Sequence, residues 1–428
     1  MMLTINNVNR LAFTYYIPMI MVNAFLLIFT IDTDLLIYYP PMLLLFLNGA
    51  SYMFVHKDDY VIKVSSVFLC YILFSVVLYA INDAPINCYF SSISKTVYPL
   101  LFVFLGYFYS DDNEFIKWLL CGCAFCFITG LFFYFTTPSY YVHYLAELKN
   151  ASWYNAKDTI EETLMDSFRF SALFGDSYYV SYFSIPVLTI SLSNTIIHRV
   201  NIDNKWLYLI AFVSFVSALL CMQRIAIAFA LFVPLFYAFW SINRGAGPRL
   251  LYIYIFAFVL AIVVLSIISG LDRFEILKEG VLDRLQNMNF GDAMSQRTNQ
   301  YTDFNRQTSW SLFCGLGAGS CGGYARAAGL DGVTDGWFVK AFYEFGIFGM
   351  LLFALIVIHT IIRAIKWINY YDSELMIVLF FLAACSGADA LSSTIPTLLF
   401  WYSVGRIWNP RYFENLKSES LTNQLDGN

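Results

Sequence analysis

One arginine, Arg224, is the sole charged residue in the apolar stretch 206–240. A guanidinium is costly beside lipid and marks a function by default when it faces a cavity. Its planar fork of donors suits a phosphate or diphosphate. The plainer role is an interfacial arginine reaching to headgroups from a hairpin turn. A second set lies in 306–319, RQTSWSLFCGLGAG, with Arg306, Trp310 four residues on, then Gly315, Gly317 and Gly319. Alternating glycines let a backbone approach a ligand or form an anion-binding nest, and they also make plain flexible turns. No strand-turn-helix unit can be built around them, so they are not a dinucleotide fingerprint.

Carboxylates come next. Asp335-Gly336 stands just before the apolar run beginning at Trp337. Asp335 there could cap a helix or act as a base at the water–membrane boundary. Lys340 and Glu344 fall one helical turn apart, the spacing of an internal i,i+4 pair. Arg169 and Asp176 bracket RFSALFGDSYYVSYF, where the tyrosines, Tyr178 among them, suit either a headgroup belt or stacking on sugar rings. Cys314 and Cys321 flank the glycines and could pair in an oxidising space. The acidic pairs Asp58-Asp59 and Asp111-Asp112 fall on segments expected to face the cytoplasm. No metal-ligand spacing, nucleophile elbow or P-loop occurs.

These residues sit in an extremely apolar chain. Its 428 residues are 59% hydrophobic and 13% charged, with mean hydropathy +0.63. Soluble domains carry about 25% charged residues, so the chain reads as a polytopic all-α membrane protein. The continuous apolar runs exclude a barrel's alternation. The net charge of −5 comes without any basic stripe, which argues against nucleic-acid binding.

About twelve spans are predicted, near 11–30, 35–55, 62–81, 91–109, 115–135, 177–197, 206–222, 225–240, 250–268, 337–362, 374–388 and 391–405. The last two could instead form one re-entrant hairpin broken at Ser386, Gly387 and Asp389. Stretch 206–240 suits two spans meeting at Gln223-Arg224. Lys and Arg collect in alternate short loops, which predicts cytoplasmic termini and a cytoplasmic tail at 409–428. The chain is expected to form a single integral membrane domain, 1–428. Its large periplasmic loop, 269–336, holds Arg297 and Arg306 among mixed charges, and 271–285 has amphipathic helical spacing.

RFSALFGDSYYVSYF, then MQRIAIAFA, then R-x3-W-x4-G-x-G-x-G from Arg306 and TDGWFVKAFYEFGIFG resemble the O-antigen polymerase and O-antigen ligase superfamily. The blocks match in order and distance over roughly 165–350; the first five spans resemble it only in hydropathy. The resemblance implies a bacterial inner-membrane glycosyltransferase needing no metal or cofactor. It would act on undecaprenyl-diphosphate-linked oligosaccharides, as donor and acceptor, at the periplasmic face. By the same matching, Arg224 and Arg306 are the family's arginines and would hold the diphosphate; Arg169 and Arg297 are supporting candidates beside them. Asp335 would be the base and Glu344 its partner, with Gly346 and Gly349 closing the motif. Asp176, Tyr178, Trp310 and Gly317 complete the expected substrate-binding set. One departure is Gly336, where the family usually has Asn. Membrane lipid and a chain-length regulator protein are expected partners. The expected activity is polymerisation of repeat units, with ligation of finished polymer to lipid A core as the close alternative. A lipid-linked oligosaccharide flippase is the alternative of another class.

Overall fold

The computed structural model describes residues 14–15, 47, 59–81, 86–109, 113–137, 140–145, 169–193, 200, 202–243, 309–322, 325, 336–392, 396–410 and 413. Among them every regular element is helical. In chain order these are α1 (Tyr60–Phe74), α2 (Val76–Ile81), α3 (Ile86–Leu100), α4 (Phe102–Phe108), α5 (Asn113–Thr136) and α6 (Ser177–Leu192). Then follow α7 (Asn204–Leu220), α8 (Arg224–Asn243), α9 (Ser309–Cys314), α10 (Trp337–Lys366), α11 (Ile368–Cys385) and α12 (Thr397–Trp408). A 3-10 turn at Ala390–Ser392 lies between the last two.

Five stretches among the described residues are long and apolar enough to cross a membrane: Tyr60–Ile81, Ile86–Phe108, α5, α10 and α11. The apolar helix α7 and the stretch Arg224–Trp240 are shorter. Each span expected between 62–81 and 225–240, and each from 337–362 onward, meets a helix. The break expected at Gln223-Arg224 falls between α7 and α8. The spans expected near 11–30, 35–55 and 250–268, with the amphipathic segment 271–285, lie outside the described residues apart from residues 14, 15 and 47.

The chain groups into two compact units, one of Met1–Met42 with Asn113–Met288, the other of Leu43–Asp112 with Asn289–Asn428. In the first, α6 is the central helix, packed along α7 and against α5 and α8. All of it but Tyr178 and Tyr179 is buried, as an apolar helix with no polar face must be. Asp176 starts it, its Oδ1 accepting the Tyr178 amide at 2.9 Å, which satisfies one orphan donor of the first turn.

In the second unit α10 runs beside α1, α11 and α12. It turns Phe348, Leu351, Leu355, Ile358, Ile362 and Ile365 outward, a stripe at three- and four-residue spacing that suits lipid. Small residues bring α4 and α12 into backbone contact, Gly106 against Tyr402 and Gly405 against Val103, the close crossing that glycine permits in membrane helices. Far along α10 from Trp337, Arg406 of α12 meets Glu374 of α11 at 3.4 Å, both side chains nearly fully buried. Arg363 lies over the Trp408 ring.

Candidate functional site

Two strained loops build one corner of the first unit. α7 ends at Leu220, and Met222 turns the chain with a φ of 54°, so that α8 begins at Arg224. A left-handed non-glycine residue costs about 1–2 kcal/mol, and Ala172, φ 47°, repeats the strain in the loop 169–176. That loop is clamped from several sides. The Phe170 amide donates to the Leu220 carbonyl at 3.1 Å. The Tyr141 hydroxyl donates to the Ala172 carbonyl at 3.0 Å and accepts the Ser171 amide at 2.9 Å. Burial pushes the Tyr141 phenol well up, so it stays a neutral hydroxyl able to do both. Tyr144 donates to the Leu173 carbonyl, and Gly130 leaves room for the Ala172 backbone.

The clamp brings distant residues together. Arg169 comes beside Cys221, three positions before Arg224, and Gln223 Nε2 donates to Ser177 Oγ at 3.2 Å. Arg169, Asp176, Tyr178 and Arg224 therefore share the corner where α6 and α8 begin and α7 ends. Helix N-termini favour anions. Arg224 is exposed. Arg169 is half-buried, and its Nε has no hydrogen-bond partner among the described residues. No acidic side chain among the described residues forms an ion pair with either, and the Asp176 carboxylate is engaged in capping.

The second unit contains a different constellation. Inside α10, Gly346 takes φ 61° and ψ −169° and breaks the helix, a conformation open essentially to glycine alone. The break frees two carbonyls, and the glycine segment 315–322 takes them. The Leu316 amide donates to Tyr343 O at 2.8 Å and the Gly317 amide to Glu344 O at 3.0 Å. The Ala318 amide donates to Ser75 Oγ at 3.1 Å, where Ser75 separates α1 from α2. A side chain on Gly317 would meet the Ser75 carbonyl at 2.7 Å, and one on Gly319 would strike the Cys88 carbonyl. The segment is thus a strap threaded against α1, α2, α3 and α10. Its acceptor is internal: the Gly319 amide donates to Glu344 Oε1 at 3.0 Å, the Cys321 amide faces the same carboxyl group, and Ser92 Oγ lies 3.5 Å from Oε2.

One turn toward the start of α10, Lys340 Nζ donates to Asp389 Oδ2 at 2.8 Å and to Ser392 Oγ at 2.9 Å. This corrects the expected Lys340–Glu344 pair. The 386–392 turn packs over the start of α10, with the Trp337 amide donating to the Ala388 carbonyl, and so offers the ammonium a nearer carboxylate. Asp389 Oδ1 has no hydrogen-bond partner, and Lys95 lies within electrostatic reach of Lys340 and Asp389. Gly336, at φ 88° and ψ 116°, is itself the cap of α10. Asn would be strained at those angles, a physical reason for glycine at this position.

The expected residues divide accordingly. Arg169, Asp176, Tyr178 and Arg224 share the corner of the first unit. Glu344 and Gly317 lie buried at the strap of the second, while Trp310, on α9, stands 80% exposed. Asp335, Arg297 and Arg306 lie outside the described residues. Cys314 and Cys321 are free thiols. Asp389, Ser392, Ser92 and Lys95 were missed as site residues. The available signal is charge at the ends of apolar spans, where Asp389 reads from the sequence only as a helix breaker.

Comparison with known proteins finds no match: no family model, no curated protein and no solved structure corresponds to this chain.

Proposed function

We propose that this chain is a polymerase of undecaprenyl-diphosphate-linked oligosaccharide repeats in a bacterial inner membrane. About twelve spans would carry a periplasmic loop at 269–336 and leave both termini in the cytoplasm. The observation that carries the reading is the corner where Arg169 and Arg224, without acidic partners among the described residues, meet the N-termini of α6 and α8. Two guanidiniums and the N-terminus of α8 suit a diphosphate.

In the proposed reaction an acceptor hydroxyl attacks the anomeric carbon of the donor. The new glycosidic C–O bond forms as the anomeric C–O bond to phosphate breaks, inverting the centre. The bonding pair leaves with undecaprenyl diphosphate, and Arg169 and Arg224 stabilise the charge that develops there, a role in which the resemblance also places Arg306. The hydroxyl proton passes to a carboxylate at the start of α10. Asp335 is the base that the resemblance assigns, with Glu344 its partner.

One observation favours a transporter instead: Lys340, Glu344 and Asp389 are charges in or beside a membrane-length helix, as ion and substrate pathways require. Deletion of the gene distinguishes the readings through the chain-length profile of surface lipopolysaccharide. A single repeat on the core supports the polymerase. Long polymer left unattached to the core points to a ligase, and repeats trapped in the cytoplasm point to a flippase. A normal profile refutes all three.

A further inference from the structure

We infer that α9, with the strap behind it, is a membrane-inserted anchor, with Trp310 and Phe313 immersed in bilayer lipid. The inference is independent of the polymerase reading. Depth comes first. The strap bonds α10 at Tyr343 and Glu344, six and seven residues beyond Trp337, and a helix rises about 1.5 Å per residue, so the strap lies about 10 Å along a membrane-length helix. Its other attachment, Ser75, lies well inside the stretch Tyr60–Ile81.

Lateral position comes next. The backbone of Gly346 rests on the Phe313 carbonyl and the Gly315 amide. Tyr71 of α1 donates to the carbonyls of Cys314 and Phe345, and its ring packs edge-on against Phe348 at 5.1 Å. Phe348 begins the outward apolar stripe of α10. α9 is thus a neighbour of that stripe, and on it Trp310 is 80% exposed, Phe313 58% and Leu312 37%. The helix, SWSLFC, has no charged residue. Such exposure in water would be a liability. Continuity with a stripe that the bilayer must cover commits the occupant to lipid acyl chains and their headgroup boundary. An indole, with an apolar body and one N–H, suits that boundary. Trp310 is then an anchor rather than a platform for a sugar.

The test uses full-length protein in phosphatidylcholine nanodiscs, with and without brominated acyl chains. The chain has nine tryptophans, so the signal is the fluorescence difference between wild type and Trp310→Phe. Brominated lipid is expected to quench that difference by at least half, and aqueous iodide to leave it nearly unchanged. Because Trp310 is exposed, the conservative variant will fold; Phe313→Trp gives an independent check by adding a component quenched by brominated lipid. Quenching by iodide but not by brominated lipid overturns the inference. So does a component quenched by neither, which would place Trp310 against protein.

Discussion

The Gly319 amide and the Glu344 carboxyl group, 25 positions apart in sequence, meet at 3.0 Å, so the acceptor that the glycine segment binds is the protein's own. Gly319→Ala should destabilise strongly. Its φ of 89° and a Cβ driven into the Cys88 carbonyl combine backbone strain of about 1–3 kcal/mol with a steric clash. Glu344→Ala leaves a buried amide unpaired at about 1–3 kcal/mol, whereas Glu344→Gln retains an acceptor oxygen. Thermal unfolding in detergent should rank the three below wild type with Gln mildest. A Gln variant as unstable as Ala would mean that the charge, not the acceptor, holds the strap.

Arg224→Ala should abolish polymer at normal protein abundance, because the side chain is exposed and touches no described partner. Loss of one oriented charged contact to a developing anion costs roughly 10²–10³ in rate, and Lys should rescue poorly for want of the bidentate fork. Arg169→Ala should lower polymer and also somewhat lower abundance, since Arg169 is half-buried in the clamped loop. Polymer length and membrane abundance, measured together in a complemented deletion strain, check both. Normal polymer from both variants would make these residues interfacial anchors.

Lys340→Met should destabilise because it leaves Asp389 without its cation. Breaking a fully buried pair costs about 3–5 kcal/mol, and this one, with Asp389 partly open at 30%, should fall at or below the low end. Adding Asp389→Asn to Lys340→Met should recover part of that loss, since residue 389 then carries no charge that needs Lys340. A double-mutant cycle read by thermal unfolding checks the coupling. Additive losses would show that the two side chains act independently.

Orientation is testable without any assumption about activity. A reporter fused near residue 245 should be cytoplasmic and one near residue 300 periplasmic, because Lys and Arg collect in alternate loops. Reversed activities would move the proposed periplasmic site to the cytoplasmic face.

Much of the helical layout was legible in the sequence, since a membrane helix satisfies its own backbone and needs only an apolar run of sufficient length. The break at Gln223-Arg224 was readable because the stretch exceeds one span, and Asp176 could be placed at the mouth of α6 because it directly precedes an apolar run. Helix boundaries shifted by a few residues: α11 begins at Ile368, before the span predicted from 374, and carries a kink at Tyr371.

The partners of the charged residues were decided by tertiary structure alone. From spacing, Lys340 could be matched only with Glu344, because an i,i+4 rule sees one helix and not the turn that folds over its start. The glycines read equally as a ligand nest or a flexible turn. Only the break at Gly346, which frees the Tyr343 and Glu344 carbonyls, turns them into a buried strap. Arg169 and Arg224 were each legible as single candidates. Their meeting depends on the Phe170–Leu220 backbone bond and the Tyr141 clamp, contacts between segments far apart in the chain that no local pattern records. Composition and periodicity thus determined that this chain is helical and suited to a membrane. Which carboxylate faces which cation was settled by backbone breaks and long-range hydrogen bonds, whose partners exist only once the helices have packed.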